Sequence, residues 1–176
     1  GILSLSEKLK EINPDIFVVY ADRFEGFAAV ITGTQMNIPT AHIEGGDITE
    51  GGALDDSVRH AMTKLSHLHF TTNQQASNRI MGMGEEPWRV HTVGFPAIDL
   101  ISEGNYASAE EIERKYEINT NRPIILFTQH SVTTEFEESL QQVEKTIEAL
   151  ESFPETQIIC FFSNTDAGGK RIINRI

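Results

Sequence analysis

Short apolar runs alternate with stretches of helical period along most of the chain. The first helical stretch, LSEKLKEI, ends at Pro14, and the extended run DIFVVYA follows at 15–21. That run is apolar without alternation, which predicts a central parallel strand covered on both faces. A helix is expected over 24–36, a turn at NIP (37–39) and a second strand at TAHI (40–43). After a glycine-rich segment, DDSVRHAMTKLS (55–66) places Val58, Met62 and Leu65 at helical spacing. Its first turn carries Asp55 and Asp56, where the helix dipole favours negative charge. LHFTTN then reads as a strand, QQASNRIMGM as a helix, RVHTVG as a strand and, after Pro96, AIDLIS as a helix.

From Glu103 to Arg122 the sequence turns polar and holds one helix, with Ser108 and Glu111 spaced as a capping box. A fresh unit follows: strand PIILFTQH, a helix near 136–151, strand QIICFFSN and a last helix from about 168. Strand and helix alternating at this spacing predict an α/β architecture with largely parallel, Rossmann-like sheets. The polar stretch divides it into residues 1–105, part of one doubly wound domain, and 106–176, the start of a second with too few strands to be complete.

No apolar run approaches the roughly 20 residues of a membrane-spanning helix, so a cytoplasmic protein without a membrane partner is expected. Cys160, the one cysteine, sits in IICFF and is expected to be a buried core thiol. The net charge of -12 argues against a broad nucleic-acid-binding face, which needs clustered Lys and Arg. A small anionic ligand remains possible, because helix N-termini and one or two cations suffice to hold it.

In open α/β sheets, ligands bind beyond the carboxyl ends of the strands. The first long strand delivers Asp22 and Arg23 there, and the second delivers His42, Glu44 and Asp47. The next helix opens with Asp55 and Asp56, and the second unit's first strand ends in His130, Ser131, Thr133 and Thr134. Each has a plainer reading. Asp22 and Arg23 suit a cap with a surface ion pair, Asp55 and Asp56 suit a helix start, and His130 suits a loop carbonyl. Glu44 resists one, since a carboxylate directly after a buried strand has little structural reason to be there. His60, His67 and His69 read as structural or solvated. Gly45, Gly46, Gly51 and Gly52 are expected to take positive φ and bring the backbone close to a ligand. They form neither a dinucleotide fingerprint nor a P-loop, and no tight metal-ligand spacing appears, so no metal site is expected.

Taken together, ADRFE (21–25), AHIEGGDITEGG (41–52), DDSVRHAMTKLSHLHF (55–70), VGFPAID (93–99) and TQHSVTTE (128–135) resemble the UDP-N-acetylglucosamine 2-epimerase family. The resemblance is closest to the hydrolysing branch of sialic and legionaminic acid synthesis. It implies a two-domain GT-B fold with the site in the interdomain cleft, and no cofactor: neither metal nor nicotinamide. The implied partner is a UDP-linked amino sugar, and the implied assembly a homodimer or homotetramer. The implied reaction removes the sugar C2 proton, expels UDP from C1 to leave a 2-acetamidoglucal, and adds water to give the free 2-epimer. By matching motifs, Asp22, Glu44, Asp55, Asp56 and His130 take catalytic roles, and Arg23, Arg59, Ser131 and Thr133 take substrate-binding ones.

Four positions depart from the family pattern. Ser131 replaces a proline, Asp47 stands where Glu is common, and Tyr20-Ala21 replaces a Leu-Gly pair, a change expected to be tolerated. The family's opening β/α units are expected before Gly1 and its nucleotide loop after Ile176. The chain thus reads as a central fragment, incomplete at both ends, with weak substrate binding and little turnover. The alternatives are another GT-B glycosyltransferase, which needs an acceptor, and a non-catalytic nucleotide-sugar-binding remnant.

Overall fold

The computed structural model describes residues 1–49 and 54–176. The chain forms two compact units, Gly1–Glu103 and Gly104–Ile176, each with its own sheet and core.

In the first unit the order is α1 (Ile2–Ile12), β1 (Phe17–Tyr20), α2 (Phe24–Gln35), β2 (Thr40–Ile43), α3 (Leu54–Leu65), β3 (Leu68–Thr71), α4 (Gln74–Gly82), β4 (Val90–Thr92) and α5 (Ala97–Ser102). Asn13, in left-handed backbone, ends α1 just before Pro14, and the Asn73 side chain caps α4 at the Ala76 amide. The four strands pair in parallel in the order β1-β2-β3-β4. Val58, Met62 and Leu65 of α3 face the core, packing with Val19, Val30, Phe17, Phe27 and Ala29.

The covered face of this sheet also carries polar side chains: Thr40, His42, His69 and Thr71 are all buried. Buried polar groups persist when they find partners. His42 meets Thr63 of α3, Thr71 shares a hydroxyl chain with Ser77 and Thr92, and His69 lies 3.3 Å from Glu85. The His67 ring accepts the Thr40 amide at 3.1 Å, so this side chain too is structural.

One strand assignment needs correcting. Among the described residues β1 lies at the sheet edge rather than its centre, with Val18 55% and Tyr20 50% exposed. Its unbroken apolar run therefore does not reflect cover on both faces; α2 and α3 cover only the side to which Val19 points.

The second unit contains α6 (Ala109–Tyr116), β5 (Ile124–Thr128), α7 (Ser139–Leu150), β6 (Gln157–Phe161) and α8 (Gly169–Arg175). Ser108 and Glu111 close both hydrogen bonds of the capping box at the start of α6. β5 and β6 pair in parallel, and Phe127, Val143 and Ile172 form the core with Ile147 and Leu150. Cys160 is exposed, against the expectation of a core thiol: it pairs with Phe127 but lies outside the core that Phe127 forms with Val143 and Ile172. No helix among the described residues is long and apolar enough to cross a membrane.

Candidate functional site

The first two strands end by the same device. Ala21 follows β1 with φ 56 and Glu44 follows β2 with φ 61, both in the left-handed region that costs a non-glycine residue about 1–3 kcal/mol. Backbone bonds continue the sheet through both turns: the Ala21 amide donates to the Ile43 carbonyl and the Glu44 amide to the Phe70 carbonyl, each at 2.9 Å. The His42 ring adds a third tie, donating from Nε2 to the Ala21 carbonyl at 2.7 Å while Nδ1 accepts from the Thr63 hydroxyl at 3.1 Å. The chain therefore leaves the sheet abruptly at neighbouring strand ends, which sets Asp22 and Glu44 on one carboxyl edge. Across the gap the Tyr20 phenol donates to Glu44 Oε1.

Arg59, buried on α3, organises the rest. Its Nη1 donates to Asp56 Oδ1 at 2.9 Å and to the Asp47 carbonyl at 2.8 Å, while Nη2 donates to Asp22 Oδ2. One guanidinium fork thus gathers two carboxylates and a loop carbonyl, which its planar donors can do and an ammonium cannot. Asp56 Oδ1 also accepts the Thr49 amide at 2.8 Å. Burial pushes the Asp56 carboxyl up, but the Thr49 amide and Arg59 outweigh it and hold the group below its ordinary 3.8. Asp55 shares the first turn of α3, and Arg23 lies 3.5 Å from Glu25 and over the Phe24 ring.

The glycine loop behaves differently from its expected role. Gly46 takes φ 84, but a Cβ there would stand 2.5 Å from the Ala76 carbonyl of α4. A Cβ on Gly45 would stand 2.8 Å from His42 Nδ1 and 2.9 Å from Thr63 Oγ1. Both glycines admit close approach to the protein's own interior rather than to a ligand. Gly51 and Gly52, with Glu50, lie outside the described residues. Asp47 pins the same loop, accepting Thr72 Oγ1 at 2.9 Å and Asn73 Nδ2 at 3.4 Å.

In the second unit His130 follows β5, and its Nδ1 accepts the Asn164 amide at 3.1 Å beside Ser163 Oγ. A neutral ring held this way carries its proton on Nε2, an outward donor. Ser131 Oγ donates to the Ala167 carbonyl, and Thr133 opens the 3-10 turn Thr133–Glu138.

The family model for UDP-N-acetylglucosamine 2-epimerase matches residues 1–176, the whole chain. The chain belongs to this family.

Among curated relatives, the epimerase-family chain is 34% identical over 176 residues to UDP-N-acetylglucosamine 2-epimerase of Neisseria meningitidis serogroup B, covering 99% of this chain and 45% of that protein. It is 30% identical over 173 residues to GDP/UDP-N,N'-diacetylbacillosamine 2-epimerase (hydrolyzing) of Campylobacter jejuni, covering 98% of this chain and 44% of that protein. The chain thus spans less than half the length of these relatives. The crystal structure of the Neisseria meningitidis UDP-GlcNAc 2-epimerase bound to UDP-GlcNAc superimposes with a TM-score of 0.82 at 22% identity, over 99% of this chain and 49% of that one. That likeness shows the fold: parallel α/β sheets of the GT-B type.

Within this epimerase fold the expected residues sort by contact. Asp22, Asp56 and Arg59 form one hydrogen-bonded group, and Glu44 stands on the same edge tied to Tyr20. The Arg59 donors face the protein's own acids and a loop carbonyl, a clasp the sequence motif did not reveal. Tyr20 carries no local sequence signal, since what brings it in is a register, Tyr20 opposite Ile43, which places the phenol beside the residue after β2.

The buried histidines make the epimerase fold sensitive to acid. Burial pushes the His42 imidazole from 6.5 down to about 4, against the pull of the Ala21 carbonyl, and burial also lowers His69 against the pull of Glu85. The unfolded chain therefore binds protons at a higher pH than the folded one, so stability is full above about 6.5 and is lost as pH falls toward 4. For His42 the whole effect is about 3 kcal/mol. The midpoint of thermal unfolding is expected to fall by several degrees between pH 7 and pH 4.5, and His42→Gln to flatten that slope; an unchanged slope in the variant contradicts the assignment.

Proposed function

We propose that this chain carries the sugar-facing carboxylates of a hydrolysing UDP-N-acetylglucosamine 2-epimerase of the sialic or legionaminic acid type. The observation that carries the reading is the Asp22–Arg59–Asp56 group beside Glu44 on one sheet edge. A sugar C2 hydrogen with no adjacent carbonyl is a very weak acid, so its removal needs a positioned base while the diphosphate departs. Positioned acid-base groups contribute about 10²- to 10⁴-fold each.

Glu44 and Asp56 handle the sugar protons. Asp56 enters as an ionised carboxylate, its Oδ1 held by Arg59 and the Thr49 amide at the start of α3. Asp22, held by the same guanidinium, orients the group. Arg23 and His130, with Ser131 and Thr133, are assigned to the UDP portion, His130 through its Nε2 donor. The first turn of α3, with Asp55, completes the acidic edge. The hydrolysing outcome draws support from the Campylobacter relative, which is so named. A cytoplasmic location and a homodimeric or homotetrameric assembly belong to the same reading.

The test is UDP release from UDP-N-acetylglucosamine without any acceptor, with the freed sugar followed by NMR and UDP binding by calorimetry. UDP release with N-acetylmannosamine as the free sugar supports the proposal, and a faster reaction with a 2,4-diacetamido sugar refines the substrate. Release that requires an acceptor points to a glycosyltransferase. UDP binding without release leaves a ligand-holding module, and neither binding nor release overturns the proposal.

A further inference from the structure

We infer that Tyr20 is the positioning residue of Glu44: its phenol holds Oε1 and leaves Oε2 turned to the substrate. The inference rests on the reading of Glu44 as a proton-handling carboxylate.

Three observations converge. First, Tyr20 and Ile43 are register partners on parallel neighbours, so the phenol at the end of β1 stands beside Glu44, the first residue past β2. Second, the Glu44 backbone is locked by its left-handed φ of 61 and by its amide bond to the Phe70 carbonyl, which fixes the Cα–Cβ direction and leaves only the side-chain torsions free. Third, among the described residues Tyr20 is the side chain hydrogen-bonded to the Glu44 carboxylate. Holding a glutamate in one rotamer set costs side-chain entropy. A tyrosine meets that cost with a rigid ring on two torsions, and a phenylalanine would fill the same place without the donor.

The phenol acts as a fixed donor and not as a proton shuttle. The hydrogen bond to Glu44, then burial and the carboxylate charge, push the Tyr20 phenol from 10.0 up to about 12, so it keeps its proton through neutral and mildly alkaline pH. It is this constant donor that assigns the two carboxylate oxygens different tasks.

The experiment has a spectroscopic arm and a kinetic arm. The chain has three tyrosines, so the ultraviolet titration difference between wild type and Tyr20→Phe isolates one phenol. It is expected to titrate at about 12 and to return toward 10.0 in Glu44→Ala, which removes both the acceptor and the charge. In the UDP-release assay Tyr20→Phe is expected to lower kcat by about 10- to 100-fold with KM changed less than about threefold, the signature of a misplaced reacting group. Tyr20 titrating together with the other tyrosines overturns the inference. So does full-rate release by Tyr20→Phe, or a loss of rate matched by a loss of thermal stability. A wild-type chain that releases no UDP overturns the function reading instead, and the titration then decides the Tyr20–Glu44 pairing by itself.

Discussion

Glu44→Gln is expected to lower UDP release from UDP-N-acetylglucosamine by about 10²- to 10⁴-fold, with UDP binding little changed. Glutamine has the size of glutamate, keeps an oxygen that accepts the Tyr20 hydroxyl, and meets the same left-handed backbone at φ 61, so the fold should survive the change. What disappears is the ability to take or return a proton. Asp56→Asn tests the second proton carrier: the asparagine oxygen still accepts the Thr49 amide, while the charge opposite Arg59 is gone. It is expected to slow release on the same scale. Calorimetry separates the two possible failures, because a lost proton carrier leaves affinity within about threefold, whereas a damaged site loses binding and rate together. Near-normal release by both variants would remove these carboxylates from the chemistry.

Arg59→Leu is expected to destabilise the first unit by about 2–4 kcal/mol, a loss of about 10 °C or more in the unfolding midpoint. Leucine matches the buried stem of arginine but withdraws the guanidinium that bridges Asp22 and Asp56, and it strips the Asp47 carbonyl of the Arg59 donor. Two partly buried carboxylates would then face each other uncompensated. Arg59→Lys should fall between, since a single ammonium cannot span the Asp22 and Asp56 contacts made by two guanidinium nitrogens.

The pH dependence identifies the cause. The Asp56 carboxyl sits below 3.8 in the folded state, so its stabilisation is present above 3.8 and lost as pH falls through the folded value. The gap between wild type and Arg59→Leu should therefore narrow as pH falls below 3.8 and through the folded value of Asp56. Urea unfolding across that range reads it directly, and a gap under about 0.5 kcal/mol at pH 7 would mean a solvated pair of little worth.

Much of this was legible along the chain. TAHI is a strand over Thr40–Ile43, AIDLIS a helix over Ala97–Ser102, and the Ser108–Glu111 box forms as spaced. Such features depend on neighbours a few residues away, which the sequence displays. The errors share the opposite cause. The run DIFVVYA reads the same at the centre of a sheet or at its edge, and β1 is at the edge among the described residues. Cys160 has core-like neighbours in sequence, yet it lies outside the core that its register partner Phe127 joins. Gly45 and Gly46 mark close approach, but only packing reveals that the approaching groups are His42, Thr63 and the Ala76 carbonyl.

By itself the sequence determined the kind and order of the elements, the family, and which acids end up at strand ends, because hydrophobic period, capping and motif are local properties. The tertiary structure decided who holds whom. Arg59 meets Asp22 across 37 residues and Tyr20 meets Glu44 across 24. Those meetings depend on strand order and parallel register, which follow from how the helices pack on the sheet and not from any single segment.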